Sequence, residues 1–158
     1  MGEQIKSVLI GCDHAAFGLK EKIKLYLNEN KIDVEDVGTF GSDSVDYPDF
    51  AARVASPVSK GDYNRGILMC ASGIGMSIVA NRYVGVRAAL CNDLFSATLS
   101  RQHNDANILV MGSRIIGEGL ARAIVHTWLK TPFNEGRHRR RIEKIDLITK
   151  TSIEDPPL

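Results

Sequence analysis

The chain has 158 residues, of which 44% are hydrophobic and 25% charged, a composition typical of one globular domain rather than two. Lys and Arg number 20 and Asp and Glu number 19, so the formal net charge of +1 excludes a global attraction to nucleic acid or anionic membranes. The three cysteines are an odd number and widely spaced, which argues against a disulfide framework and a structural zinc site.

Short apolar runs alternate with helix-period segments five times, a pattern typical of a parallel sheet covered by helices on both faces. The predicted strands are residues 8–11, 32–37, 66–69, 86–91 and 108–111. The second run contains three acidic residues, so we expect it at the edge of the sheet. The intervening helices are predicted from one-sided apolar residues at 19–27, 50–58, 94–102 and 116–128.

Prolines mark the boundaries of this alternation. Pro48 is predicted to begin the second helix and Pro57 to kink it. Thr131-Pro132 ends the alternation, and a last helix is predicted over residues 136–149. We therefore predict a three-layer α/β fold with a five-stranded parallel sheet and an extra C-terminal helix. Residues 1–151 form its single domain, and residues 152–158 form a disordered or loosely docked tail.

No apolar run approaches the 18 residues of a membrane span, and the apolar stretch at residues 8–12 is too short for a secretory signal. The cysteine usage also fits a reducing compartment. We expect a cytoplasmic protein that binds neither membrane nor nucleic acid.

Chemically active residues follow three of the predicted strands, at the ends where ligands bind in open α/β sheets. The first strand is followed by Cys12-Asp13-His14, the second by Asp46-Tyr47-Pro48, and the third by the sequence CASGIGMS at residues 70–77. The small residues at 71–73 and Gly75 let successive backbone amides turn toward an anion at the start of a helix.

Cys70 stands at the rim of this loop, where a helix N-terminus favours the thiolate. Two other interpretations stay open: Cys70 as a small buried hydrophobic residue, and Asp13 with His14 as a helix cap. Cys12 and Cys91 are predicted to be core or supporting residues.

Residues 137–141 form the one strong basic cluster. No aromatic residue interleaves with its arginines, which disfavours a nucleic-acid patch. Arg137 and Arg141 are one helical turn apart and share a face, which suits a clamp on a single phosphate. Arg139 and Arg140 are predicted to point elsewhere.

The segment 100–105 ends the fourth predicted helix directly before the fifth strand. Because that helix runs antiparallel to the strands, His103 is predicted at the amino edge of the sheet, far from Cys70 of the same chain. Arg137 follows a helix that returns to the same edge. These residues can join Cys70 only from a second subunit, so we predict a two-fold homodimer with two composite sites.

Six motifs, in order and spanning nearly the whole chain, together resemble the ribose-5-phosphate isomerase type B family (ribose/galactose isomerases). They are Gly11 to His14, Asp46 to Pro48, Cys70 to Ser77, Ser100 to Asp105, Gly112 to Arg114 and Gly136 to Arg141. The resemblance implies a Rossmann-like fold and homodimers, either alone or paired as tetramers. It also implies interconversion of ribose 5-phosphate and ribulose 5-phosphate in the pentose phosphate pathway, without metal or other cofactor.

The resemblance also implies roles for single residues. Cys70 is the base that moves a proton between C2 and C1 through a cis-enediolate, and Ser72 shuttles protons between the two oxygens. His103 assists opening of the furanose ring. Asp13 completes the catalytic set by orienting substrate hydroxyls.

The remaining implied residues bind the substrate. The loop, which holds the developing oxyanion, contributes Ala71, Gly73, Ile74, Gly75 and Ser77. Hydroxyl or enediolate contacts come from Tyr47 and Asn104. The phosphate is bound by Arg137, Arg141, His14 and Arg114. Ala71 and Ser72 stand where many relatives have glycine and threonine, and since Ser72 keeps the hydroxyl, we expect activity to persist at an adjusted rate.

Competing functions fit the residues less well. A phosphocysteine carrier has its cysteine after the first strand, whereas Cys70 follows the third; a cysteine phosphatase needs an arginine where Met76 stands. Dinucleotide binding needs a third glycine where Ile78 stands. A non-catalytic module that binds sugar phosphates stays open, as do allose 6-phosphate and galactose 6-phosphate as substrates.

Overall fold

Strands and helices alternate along the chain in the computed structural model, which describes residues 7–154 and the side chains of residues 7–148. In chain order the elements are β1 (Ser7–Cys12), a 3-10 turn (His14–Ala16), α1 (Phe17–Glu29), β2 (Asp33–Asp36), α2 (Tyr47–Lys60), β3 (Gly66–Cys70), α3 (Ile74–Ala80), β4 (Ala88–Leu90), α4 (Leu94–Asn104), β5 (Ile108–Gly112), α5 (Glu118–Lys130) and α6 (Arg137–Glu154).

All five strands are parallel and lie in the order β2-β1-β3-β5-β4. The predicted parallel sheet is therefore confirmed, and so is the edge position of the acidic strand β2. β3 and β5 are buried on both faces, which is why their sequences are continuous apolar runs. From β1 the chain adds β2 on one side of the sheet, and from β3 it adds the remaining strands on the other side. The switch point therefore lies between β1 and β3, where ligands bind in such folds.

Two apolar cores, one on each face of the sheet, make the three predicted layers. On one face α1, α4 and α5 pack around Trp128, which is fully buried. On the other face α2 and α3 pack on the sheet through residues such as Val54 and Met76. Cys12 and Cys91 lie in the first core as predicted, and burial raises the pKa of their thiols to about 12 and about 11.

Several elements differ from the prediction in their ends or course. β4 is only three residues long, and the side chain of Asn81 accepts from the N–H of Ala88 and donates to its carbonyl at this edge of the sheet. α2 runs unbroken through Pro57, so the kink there stays a prediction. α6 continues to Glu154, five residues past the predicted end at 149.

The predicted tail at 152–158 therefore begins inside a helix, and its last four residues, 155–158, lie outside the described residues. The division into a domain at 1–151 and a tail stays a prediction. Across residues 7–154, no helix combines the length and the apolar character needed to cross a membrane.

Close contact between α2 and the sheet depends on the absence of a side chain at Gly66. A Cβ there lies 2.6 Å from Cγ1 of Val54 and 3.3 Å from Cγ1 of Ile108. We expect Gly66→Ala to lower the free energy of unfolding by about 1–3 kcal/mol, because the core has no room for the methyl group. Urea unfolding followed by circular dichroism measures the change.

Gly18 in α1 is the matched control, since a Cβ at that position meets no atom within 4 Å. We expect Gly18→Ala to leave the protein as stable or to stabilise it by about 0.5 kcal/mol. Equal stabilities of the two variants would contradict the assignment of Gly66 as a packing glycine.

Candidate active site

Cys70 ends β3 and is buried, with 6% of its surface exposed. Its Sγ accepts a hydrogen bond from the N–H of Gly73 at 3.1 Å. Gly73 has φ of 82°, and a Cβ there would lie 2.4 Å from Cδ1 of Leu90 and 3.1 Å from the carbonyl oxygen of Met111. Only glycine fits this position, and it turns the chain directly from the thiol into α3.

The serines of the loop are held by local hydrogen bonds. Ser72 Oγ accepts from the N–H of Ile74 at 3.3 Å, and Ser77 Oγ donates to the Ile74 carbonyl at 2.8 Å. Both serines are partly exposed, like Ala71, so this part of the loop lies at the protein surface.

The residues after β5 are tied to the same loop. The N–H of Ser113 donates to the carbonyl of Cys70 at 2.9 Å, and the N–H of Arg114 donates to the carbonyl of Ala71 at 3.0 Å. A Cβ at Gly112 would lie 2.7 Å from the carbonyl oxygen of Ser72, so glycine permits this close approach. The exposed Arg114 therefore extends from a backbone that is fixed against the Cys70 loop.

Tyr47, the first residue of α2, packs its ring against Gly75. A Cβ at Gly75 would lie 2.6 Å from Cζ and 3.1 Å from Oη of Tyr47. The phenol is partly exposed, at 40%, so its hydroxyl stands at the border between the loop and solvent.

Asp13 and His14 follow β1 at the same edge. Asp13 is buried, and its Oδ1 caps the 3-10 turn by accepting from the N–H of Ala15 at 3.0 Å. The capping interpretation is therefore confirmed for Oδ1. His14 Nδ1 accepts from the N–H of Val45 at 3.2 Å, so the neutral ring carries its proton on Nε2. His14 is thereby oriented as a donor through Nε2.

The other predicted residues lie at the opposite edge. His103 and Asn104 end α4, whose C-terminus directly precedes β5, and Asn134 before α6 donates to the carbonyl of Gln102 at 3.0 Å. Arg137 and Arg141, both exposed, begin α6 beside them. The five residues of β3 span roughly 13 Å, so this group is separated from Cys70 of the same chain by the length of the sheet.

His138 is a residue that sequence reasoning missed. Its ring stacks on that of His103 with a centroid distance of 4.3 Å and an interplanar angle of 5°. Burial lowers the pKa of His138, and the positive charges of Arg137 and Arg141 lower it further, as does His103. In the sequence, only its position directly after Arg137 pointed to a role for His138. The stack on His103 depends on the packing of α6 against α4.

Known proteins resemble this chain over most of its length. Residues 8–145 match the family described as Ribose/Galactose Isomerase. Ribose-5-phosphate isomerase B of Escherichia coli (strain K12) is 46% identical over 144 residues, which cover 91% of this chain and 97% of that protein. D-erythrulose-4-phosphate isomerase of Pectobacterium atrosepticum is 41% identical over 141 residues, covering 88% and 92%.

Solved structures agree. The ribose 5-phosphate isomerase of Thermotoga maritima is 53% identical and covers 91% of this chain and 99% of its own, with a TM-score of 0.88. The Rossmann-like α/β fold that the resemblance implied is therefore confirmed. From the motifs, the fold and these matches together, the chain belongs to the ribose/galactose isomerase family of enzymes.

Proposed function

We propose that this enzyme interconverts D-ribose 5-phosphate and D-ribulose 5-phosphate by proton transfer, with Cys70 as the base. The observation that carries the proposal is the position of the Cys70 sulfur, next to the Gly73 N–H at the start of α3. A base is thereby placed against the first backbone N–H of a helix start, and an enediolate intermediate requires a base together with N–H donors.

The reaction starts from the open-chain aldehyde. The Cys70 thiolate removes the proton from C2, the C–H electron pair forms the C1–C2 double bond, and the carbonyl oxygen on C1 becomes an oxyanion. The amides of the loop from Ala71 to Gly75 stabilise this charge. Ser72 passes the proton of the C2 hydroxyl to the oxygen on C1, and the proton on Cys70 returns to C1, giving the ketose.

Substrate contacts complete the proposal. Asp13 and Tyr47 orient the sugar hydroxyls, with Asp13 using the carboxylate oxygen that does not cap the turn. Ile74 and Ser77 border the sugar through the first turn of α3. The enzyme needs no metal and no cofactor, because the thiolate and the amides supply both proton transfer and charge stabilisation.

A homodimer assembles the site. In one chain His103 and Asn104 lie at the far edge of the sheet from Cys70, together with the arginines of α6. A two-fold axis brings the partner's copies of these residues to the Cys70 loop. The partner's His103 then assists ring opening, and its Arg137 and Arg141 hold the phosphate with His14 and Arg114.

Replacement of the base tests the chemistry. We expect Cys70→Ala to lower kcat by at least about 100-fold and to leave the affinity for inorganic phosphate nearly unchanged, because only proton transfer is lost. Ribose 5-phosphate and allose 6-phosphate are assayed in parallel with EDTA present, and phosphate binding is measured by calorimetry. Cys91→Ala, which removes a buried thiol of the core, is the matched control and should turn over normally.

Wild-type turnover by Cys70→Ala would refute the base assignment. If the wild-type protein turns over neither sugar but binds phosphate, the non-catalytic binding module is correct. A higher kcat/KM for allose 6-phosphate would reassign the substrate within the same chemistry.

Replacement of a phosphate ligand tests binding. We expect Arg137→Ala to raise KM about tenfold or more with a smaller change in kcat, since a charged hydrogen bond to the phosphate is lost. Arg140→Ala is the control, because Arg140 is exposed in the same helix and predicted to point away from the Arg137 face. An unchanged KM in Arg137→Ala would remove this arginine from the phosphate site.

Mixed dimers test the composite site. We expect Cys70→Ala and His103→Ala subunits each to be nearly inactive as homodimers, whereas a heterodimer contains one site with intact copies of both residues. After unfolding and refolding of an equal mixture, we expect about one quarter of wild-type activity, since half of the dimers are mixed and each has one working site. No recovery above the two parent variants would mean that each site is built within one chain.

A further inference from the structure

Lys20 of α1 is a charged residue without any exposed side-chain surface. Its ammonium group pairs with the carboxylates of Asp36 and, at 2.8 Å, Glu21. It also lies 5.5 Å from the ring centroid of Phe17 and 5.3 Å from that of Phe40. A cation is therefore fixed beneath the ends of β1 and β2, close to the candidate active site.

Asp36 connects this cation to the backbone that leaves β2. Its Oδ1 accepts from the N–H of Gly38 at 2.9 Å. Gly38 in turn accepts from the N–H of Cys12 at 2.7 Å, and the N–H of Thr39 donates to the carbonyl of Cys12 at 2.8 Å. The segment after β2 thus holds both backbone groups of Cys12, the residue directly before Asp13.

Asp13 is fixed from the other side as well. Its N–H donates to the carbonyl of Met69 at 3.2 Å, one residue before Cys70. The capping carboxylate of Asp13 therefore sits between two backbone anchors. One comes from β3, and the other is held by the Lys20–Asp36 pair.

Burial of a charged pair is by itself weak evidence that the pair stabilises the fold. Desolvation of a buried lysine and a carboxylate costs several kcal/mol, and well-packed apolar residues often stabilise such positions equally well or better. What the charged pair adds is directional: it fixes one carboxylate oxygen on Lys20 and aims the other at the Gly38 N–H.

We propose that Lys20 and Asp36 are positioning residues for the isomerisation, which hold the Gly38–Thr39 segment against Cys12 and thereby set the location of the Asp13 carboxylate. The inference rests on the proposed function through the role of Asp13. Neither residue touches the substrate; both act through the backbone that carries Asp13.

The test compares Lys20→Met and Asp36→Asn with Lys24→Met. Lys24 contacts the same Asp36 carboxylate at 2.5 Å, but its side chain is partly exposed, so its loss removes one charge contact without emptying a buried position. Asp36→Asn keeps a side-chain oxygen that can accept from the N–H of Gly38. This variant alone provides the test if Lys20→Met fails to fold. Amide hydrogen exchange at Cys12 and Thr39, together with kcat and KM for ribose 5-phosphate, are the measurements.

We expect Lys20→Met and Asp36→Asn to accelerate exchange at Cys12 and Thr39 more than at the β3 amides. We also expect them to lower kcat by about 10- to 100-fold at nearly constant KM, since small displacements of a positioning group act on the chemical step. Lys24→Met should leave both measurements within about twofold of the wild type. When Asp13→Ala is already present, Lys20→Met should lower kcat no further.

Unchanged exchange at Cys12 and Thr39 overturns the proposal, and so does a loss of kcat that adds in full to that of Asp13→Ala. The proposal also fails if kcat falls only in proportion to the fraction of the protein that no longer folds. If the wild type proves inactive, the proposed function fails, while the exchange measurement still decides whether the pair holds the segment.

Discussion

Parallel pairing of β1, β3 and β5 is the constraint on which the rest of the structure depends. Because the strands run in the same direction, the residues at their carboxyl ends lie at one edge of the sheet. Parallel pairing alone therefore brings Asp13, Cys70 and Arg114 to the same edge. The helices that return the chain, α4 and α5, end at the other edge. His103 and the arginines of α6 are separated from Cys70 for the same reason, which is why the proposed site needs a second subunit.

Close packing of the backbone at the carboxyl edge fixes the relative positions of the loops that follow the strands. Gly73, Gly75 and Gly112 each stand where a Cβ would meet another residue at 2.4–2.7 Å. The loop after β3 therefore touches Tyr47 on one side and the β5 exit on the other, with no space for side chains between them. The thiol, the phenol and the amides are held in one arrangement by contact rather than by a network of charges.

Features set by local sequence could be predicted, and features set by distant contacts could not. The strands and the thiol loop follow from apolar runs and glycine spacing, which reflect the covered sheet and the turn directly. The acidic residues of β2 predict only an edge strand, yet the side chain of Asp36 is just 10% exposed because Lys20 comes from α1 to meet it. The His103–His138 stack is similarly invisible, since it depends on α6 folding back on α4.

The two edges of the sheet differ in the electrostatic environment that they provide. At the carboxyl edge, the sulfur of Cys70 faces an N–H donor. At the amino edge, burial lowers the pKa of His138, and so do the stacked His103 and the arginines of the same helix face, Arg137 and Arg141. Under the proposed function, a dianionic phosphate between Arg137 and Arg141 would cancel much of the positive charge that lowers the pKa of His138. Phosphate binding would therefore shift the pKa of His138 upward, toward the ordinary value of an imidazole.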